Sequence, residues 1–157
     1  PIGSIYQFFP NKHALIAELS AQDTDSLCDE LRHAATRLPA EDWQPNVDQL
    51  INDLADMWRR DTTRRHVWLA MQSTSATRSR AAEQTGRVVD QIMPLVAPLT
   101  PNAPPREVRV VAEVVVQMCL SLLHFSVRDD RPHRATVDEL KRALRSYLRA
   151  VALGATS

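Results

Sequence analysis

The sequence predicts an all-α fold, a bundle of long amphipathic helices. Three observations carry this reading. Apolar residues recur mainly three and four positions apart over long stretches, as they do along one face of a helix. The 157-residue chain holds only 3 Gly beside 10 Pro, which suits helices separated by proline-marked breaks and disfavours a glycine-rich nucleotide-binding sheet. No run alternates apolar and polar residues in the manner of a half-buried strand.

The elements follow in order. Ile2 to Phe9 reads as a short apolar helix or turn, closed by Pro10 and by Asn11, whose side chain can cap what comes next. Asn11 to Leu38 is free of Pro and Gly. Leu15, Leu19, Leu27, Leu31, Ala34 and Leu38 mark its apolar face, and Asp23, Asp25, Asp29 and Glu30 its polar one. Pro39 to Pro45 is a loop. Val47, Leu50, Ile51, Leu54, Met57 and Trp58 then form a second stripe, and a shorter helix carries His66 to Met71. The hydroxyls of Ser73 to Thr77 compete for backbone hydrogen bonds and favour a break. A fourth helix holds Val88, Val89, Ile92, Met93 and Val96. Pro94 should kink it, because proline cannot donate to the preceding turn.

Thr100 to Pro105 is the clearest linker. Pro105 suits the first turn of the next helix, and Glu107 sits near that helix's positive end. This helix should reach about Arg128. Within it, Val110 to Phe125 is strongly apolar but is interrupted by Glu113, Gln117 and His124, too short and too polar a stretch for a membrane span. After a loop at Arg128 to Arg134, Thr136 and Glu139 have capping-box spacing. Leu140, Leu144, Tyr147, Leu148 and Val151 continue an apolar face that Gly154 can end.

Lys plus Arg equals Asp plus Glu, 19 each, so overall charge points to neither a nucleic acid nor an anionic membrane. All the cationic residues but Lys12 and Lys141 are Arg, a planar donor suited to fixed ion pairs and phosphates. Cys28 and Cys119 have no metal-site spacing and nothing reads as a secretory leader, so a reducing, cytoplasmic setting is expected. No metal or cofactor is expected.

The segment GSIYQFFPNKHAL, Gly3 to Leu15, resembles the end of the helix-turn-helix and the start of the following helix in TetR-family transcriptional regulators. Ser4, Ile5, Tyr6, Gln7, Phe8, Phe9 and Lys12 fall on that family's pattern. The resemblance implies a TetR-like regulatory bundle whose helix-turn-helix is truncated. Residues 1–15 would be the remnant of the DNA-binding domain and the start of the connecting helix, and residues 16–157 the ligand-sensing and dimerisation domain. The intact protein would bind operator double-stranded DNA, most simply as a repressor released by a small hydrophobic or aromatic effector. A short helix can enter the major groove. Ser4 and Tyr6 can donate to phosphate, Lys12 supplies charge, Gln7 can read a base edge, and Ile2 and Gly3 permit close approach.

The same resemblance implies a homodimer built on the last two long helices, with Val110, Val114, Leu140, Leu144, Tyr147 and Val151 at the interface and Arg145 and Arg149 nearer its rim. A two-fold arrangement would present recognition helices to successive major grooves. An intrachain core helix is the competing reading of those positions. For an effector pocket, Trp58, Trp68, Met71, Gln72, Met93, Met118, Cys119, Leu122 and Phe125 combine large apolar contacts, adaptable sulfur and a few polar handles. Each of them alone reads more readily as core than as a ligand contact. An acidic ligand would instead call on His66 or an adjacent Arg.

Two other classes compete. An enzyme is disfavoured because His66, His124, Cys28, Cys119, Asp61 and Glu113 form no HExxH, CxxC or nucleophile-elbow signature. A helical protein-binding or dimerisation module without DNA-binding activity would leave the intact chain unable to shift any DNA.

Overall fold

A computed structural model describes residues 11–36, 43–128 and 133–154. Those residues form six α-helices and one short 3-10 turn, with no strand among them. Asn11 accepts a hydrogen bond from the Ala14 amide at 2.9 Å and so starts helix α1, Lys12–Ala35. Ala17, Thr24, Cys28 and Leu31 form its buried stripe. It stops earlier than the apolar spacing suggested, at Thr36, whose amide reaches back to the Arg32 carbonyl at 3.3 Å.

Helix α2 spans Trp43–Arg60. Pro45 lies in its first turn, where no amide donor is needed, so the helix begins before the proline rather than after it. Asp61 alone separates α2 from α3, Thr62–Gln72. Its amide closes α2 on the Met57 carbonyl at 3.1 Å, while its carboxylate caps α3 through the Arg64 amide at 2.9 Å. Arg65 then donates to the Trp58 carbonyl at 2.9 Å, satisfying an orphan acceptor at the end of α2.

The hydroxyl-rich break falls where expected. Ser73 ends α3, and Thr74 caps α4, Ser75–Val96. The buried Thr77 hydroxyl donates back to the Met71 carbonyl at 2.8 Å, fixing the turn between the two helices. Pro94 stays inside α4, which continues to Val96 before tightening into the 3-10 turn Ala97–Leu99. Helix α5, Pro105–Ser126, opens on proline with Glu107 in its first turn.

Helix α6 is His133–Gly154. It begins upstream of Thr136, so the Thr136 and Glu139 pair lies inside the helix and is not its capping box. The link to α5 is instead made by the His133 Nδ1 and the Ser126 hydroxyl, 3.2 Å apart.

One large core runs through the bundle, from Cys28 and Leu31 on α1 to Leu140, Leu144 and Leu148 on α6. A smaller one joins Ala17, Val67, Met71 and Ala81 where α1, α3 and α4 meet. Helix α4 packs most extensively on α5 and α1, and α6 packs on α5 and α2. Polar contacts edge the α2–α6 seam: Arg145 pairs with Asp48, Lys141 Nζ donates to Asn52 at 3.0 Å, and Arg149 to Gln44 at 3.3 Å.

These contacts correct part of the interface expectation. Leu140 and Leu144 are 0% and 1% exposed and belong to the chain's own core, so no partner can reach them. Arg145 and Arg149 contact α2 of the same chain, through Asp48 and Gln44.

Candidate functional site

The helices line a partly open apolar cavity of about 120 Å³. Its wall is built from the inward stripes of five helices: Leu27 and Leu31 from α1, Leu50, Leu54 and Trp58 from α2, Val88 and Ile92 from α4, Val115 and Cys119 from α5, and Leu144 from α6. No charged side chain lines it, and Asn46 is the one amide that does. An enclosure of this chemistry favours hydrocarbon over water, because a water needs two to four polar partners.

A second cavity of about 80 Å³ lies alongside and shares Leu27, Trp58, Val88 and Leu120 with the first. Its other walls are more polar and include Ser20, Asp23, Arg64, Gln72 and Gln84. Trp58 therefore stands between an apolar and a mixed compartment. Its ring meets that of Trp68 edge to face, centroids 6.2 Å apart, and Trp68 in turn lies against His124 at 4.5 Å. The Trp58 indole nitrogen and the His124 Nδ1 are both shut away from solvent without a hydrogen-bond partner.

The electrostatics follow burial. Cys119 is enclosed, and burial pushes its thiol up to about 12, so it behaves as a small apolar wall rather than a nucleophile. Burial also lifts Cys28 above the usual thiol range, although Arg87 and Arg32 oppose the shift. Asp23 is raised above its ordinary value, first by burial and against the pull of Arg64. No group of three or more His, Cys, Asp or Glu residues among those described could hold a metal ion.

The effector residues expected from the sequence divide into two sets. Trp58, Trp68, Met71, Gln72 and Cys119 line one or both cavities. Met93, Met118, Leu122 and Phe125 line neither. Met93 sits between α4 and α5, its sulfur 3.9 Å from the Arg109 guanidinium. Met118, Leu122 and Phe125 are half-buried on α5, where Met118 and Leu122 pack against the large core. His66 is exposed, and neither cavity includes it.

Sequence reasoning missed most of the wall, because Leu50, Leu54, Val88 and Ile92 carry the same apolar periodicity whether they face a cavity or a packed neighbour. It also placed Asp23 on the solvated face of α1, whereas α3 brings Arg64 against it.

Helix α5 has a further apolar face. Val110, Val114, Met118, Leu122 and Phe125 follow one another at spacings of four, four, four and three, and Val110 is 56% exposed. By length and composition alone the helix could cross a membrane, its most apolar 18-residue window having a mean hydropathy of 1.7, in contrast to the expectation of a stretch too short and too polar. Its other side, with Val108, Ala112, Val115, Val116 and Leu123, is nevertheless packed into the chain's own core. On α6, Tyr147 and Val151 are half-buried, unlike Leu140 and Leu144.

Of the expected DNA-contacting residues, Ile2, Gly3, Ser4, Tyr6 and Gln7 lie outside the described residues. Lys12 is exposed as the first residue of α1. A cation there opposes the positive end of the helix dipole, a placement that an external anion would relieve.

Residues 41–152, more than half of the chain, match the family model described as Tetracyclin repressor-like, C-terminal domain. No curated protein and no solved structure matches the chain. The match covers α2 to the end of α6 apart from its last residues, the same helices that enclose most of the cavity wall. This chain belongs to the TetR family of transcriptional regulators.

Proposed function

We propose that the intact protein is a ligand-responsive, DNA-binding repressor that a small hydrophobic effector releases from its operator. The observation that carries this reading is the apolar cavity and the identity of one of its walls. Leu27 and Leu31 belong to α1, the helix that directly follows the segment resembling a recognition helix. A molecule filling the cavity pushes on the element to which the DNA reader is attached. It shifts the population toward a conformation whose recognition helices no longer match their half-sites, and DNA must in turn weaken effector binding by the same factor.

Residues 1–15 serve in the DNA reader and the start of the connecting helix, and residues 16–157 as the sensing and dimerising domain. Ile2, Gly3, Ser4, Tyr6, Gln7 and Lys12 approach the operator; Trp58, Trp68, Met71, Gln72 and Cys119 approach the effector. The homodimer uses Val110 and Val114 of α5 with Tyr147 and Val151 of α6. Support comes from α5, of whose most apolar window only 22% is fully buried within the chain, and on which Val110 is 56% exposed. A cytoplasmic regulator without catalytic activity or cofactor is the reading that the family favours.

Selection of operator DNA by the intact protein tests the proposal. Sequence-specific binding that weakens on addition of a cavity-filling hydrophobe supports it, and a stable oligomer that shifts no DNA would favour a dimerisation module instead.

A further inference from the structure

Arg64 is a mostly enclosed cation held between two carboxylates, Asp23 and Asp61, at ion-pair distances longer than a good hydrogen bond. Its side chain is 11% exposed, and its Nε is shut off from solvent with no hydrogen-bond partner. Nη2 stands 3.6 Å from Asp23 Oδ1 and Nε 3.8 Å from Asp61 Oδ2, both beyond hydrogen-bond length. Nη1 lies against the Met57 sulfur, a weak acceptor. Asp61 is already engaged in capping α3. Asp23, 33% exposed on α1, is the carboxylate that shares the smaller cavity with Arg64. One wall of that cavity thus holds a donor-rich cation and an acceptor-only anion that fall just short of each other.

A ligand atom that accepts from Arg64 and donates to Asp23 would bridge the gap between them with two good hydrogen bonds, and the enclosed Arg64 Nε shows that the guanidinium has donor capacity to spare. Charge selects the ligand. An anionic group would pair with Arg64 but face Asp23 and Asp61, and a cationic group would pair with Asp23 but face Arg64. A neutral hydroxyl both donates and accepts. Size selects it further. The neighbouring cavities are about 120 and 80 Å³, and an apolar cavity of about 150 Å³ holds a benzene ring.

Resting on the effector reading above, we propose that the effector is a neutral one-ring hydrophobe bearing a single hydroxyl, with its ring in the apolar cavity and its hydroxyl between Asp23 and Arg64. Leu27 and Trp58, which belong to both walls, turn aside to join the two spaces when it binds.

Calorimetric titration of the 157-residue chain at pH 7 with ethylbenzene, 4-ethylphenol and 4-ethylbenzoate tests this, because the three probes share one body and differ only at the polar end. The expected result is that 4-ethylphenol binds about tenfold or more tighter than either of the others, the gain from hydrogen bonds to charged partners. In Asp23→Ala the ratio of 4-ethylphenol to ethylbenzene affinity should fall toward one while ethylbenzene binding persists. Equal affinities for the three probes, or tightest binding of 4-ethylbenzoate, would overturn the hydroxyl assignment and leave the cavity as an effector site. Failure of all three to bind would overturn the effector reading along with it.

Discussion

The His124 imidazole lies 4.5 Å from the Trp68 ring, tilted by 33°, and so ties α5 to α3 beside the smaller cavity. Burial lowers the His124 pKa below its ordinary value, and Arg128 and Arg65 lower it further.

A pH dependence follows from that direction. The unfolded chain takes up a proton near the ordinary histidine value of about 6.5, whereas the folded chain resists it to lower pH. Stability is therefore full above about pH 6.5 and declines as pH falls from there to the lowered folded value. Urea unfolding between pH 5 and 8 should show this decline, and His124→Phe should flatten it relative to the parent chain. An unchanged pH slope in the variant would remove His124 from the account.

Leu144 and Val110 should respond in opposite ways. Leu144 is 1% exposed in the core, and Leu144→Ala should lower the unfolding free energy by about 2–5 kcal/mol, the range for a buried leucine. Val110 is 56% exposed, and Val110→Glu places a charge on the apolar face of α5. Sedimentation should then move from dimer toward monomer, while far-ultraviolet circular dichroism keeps its helical signature. A dimer unaffected by Val110→Glu would move the interface elsewhere.

Gly86 offers a stabilising change. It lies within α4 and has no positive φ, and a Cβ there would meet nothing nearer than the Arg109 guanidinium at 3.9 Å, an ordinary contact. Gly86→Ala should raise stability by roughly 0.4–1 kcal/mol by restricting the unfolded chain, measured as a higher denaturation midpoint at constant slope. A lower midpoint would mean that Arg109, paired with Asp90 at 2.8 Å, cannot adjust to the added methyl.

The helices were legible in the sequence because their signals are local. Asn11, the hydroxyls around Thr74 and the proline at 105 each act within one turn, and all fall at helix ends. The start of α6 was misplaced because Thr136 and Glu139 imitate a cap, whereas the Ser126 to His133 contact that joins the helices is invisible to spacing.

The site was half legible. Large aromatic and sulfur side chains pointed to Trp58, Met71 and Cys119, but the apolar face of α5 is wide, so periodicity could not tell the cavity-lining Cys119 and Leu123 from Met118 and Leu122, which pack on the core beside them. The Arg64 and Asp23 pairing joins helices 41 positions apart in sequence, and nothing local announces it.

The central claim is that occupation of the cavity is read by the DNA. Operator affinity of the intact protein, measured with and without saturating 4-ethylphenol, tests it most directly when Leu54→Trp is run in parallel to fill the cavity. The account predicts that the ligand weakens the parent's operator affinity about tenfold or more, as befits a coupling of a few kcal/mol at most, and leaves the filled variant unmoved. Unchanged operator affinity in a parent protein that calorimetry shows to be saturated with ligand would contradict it.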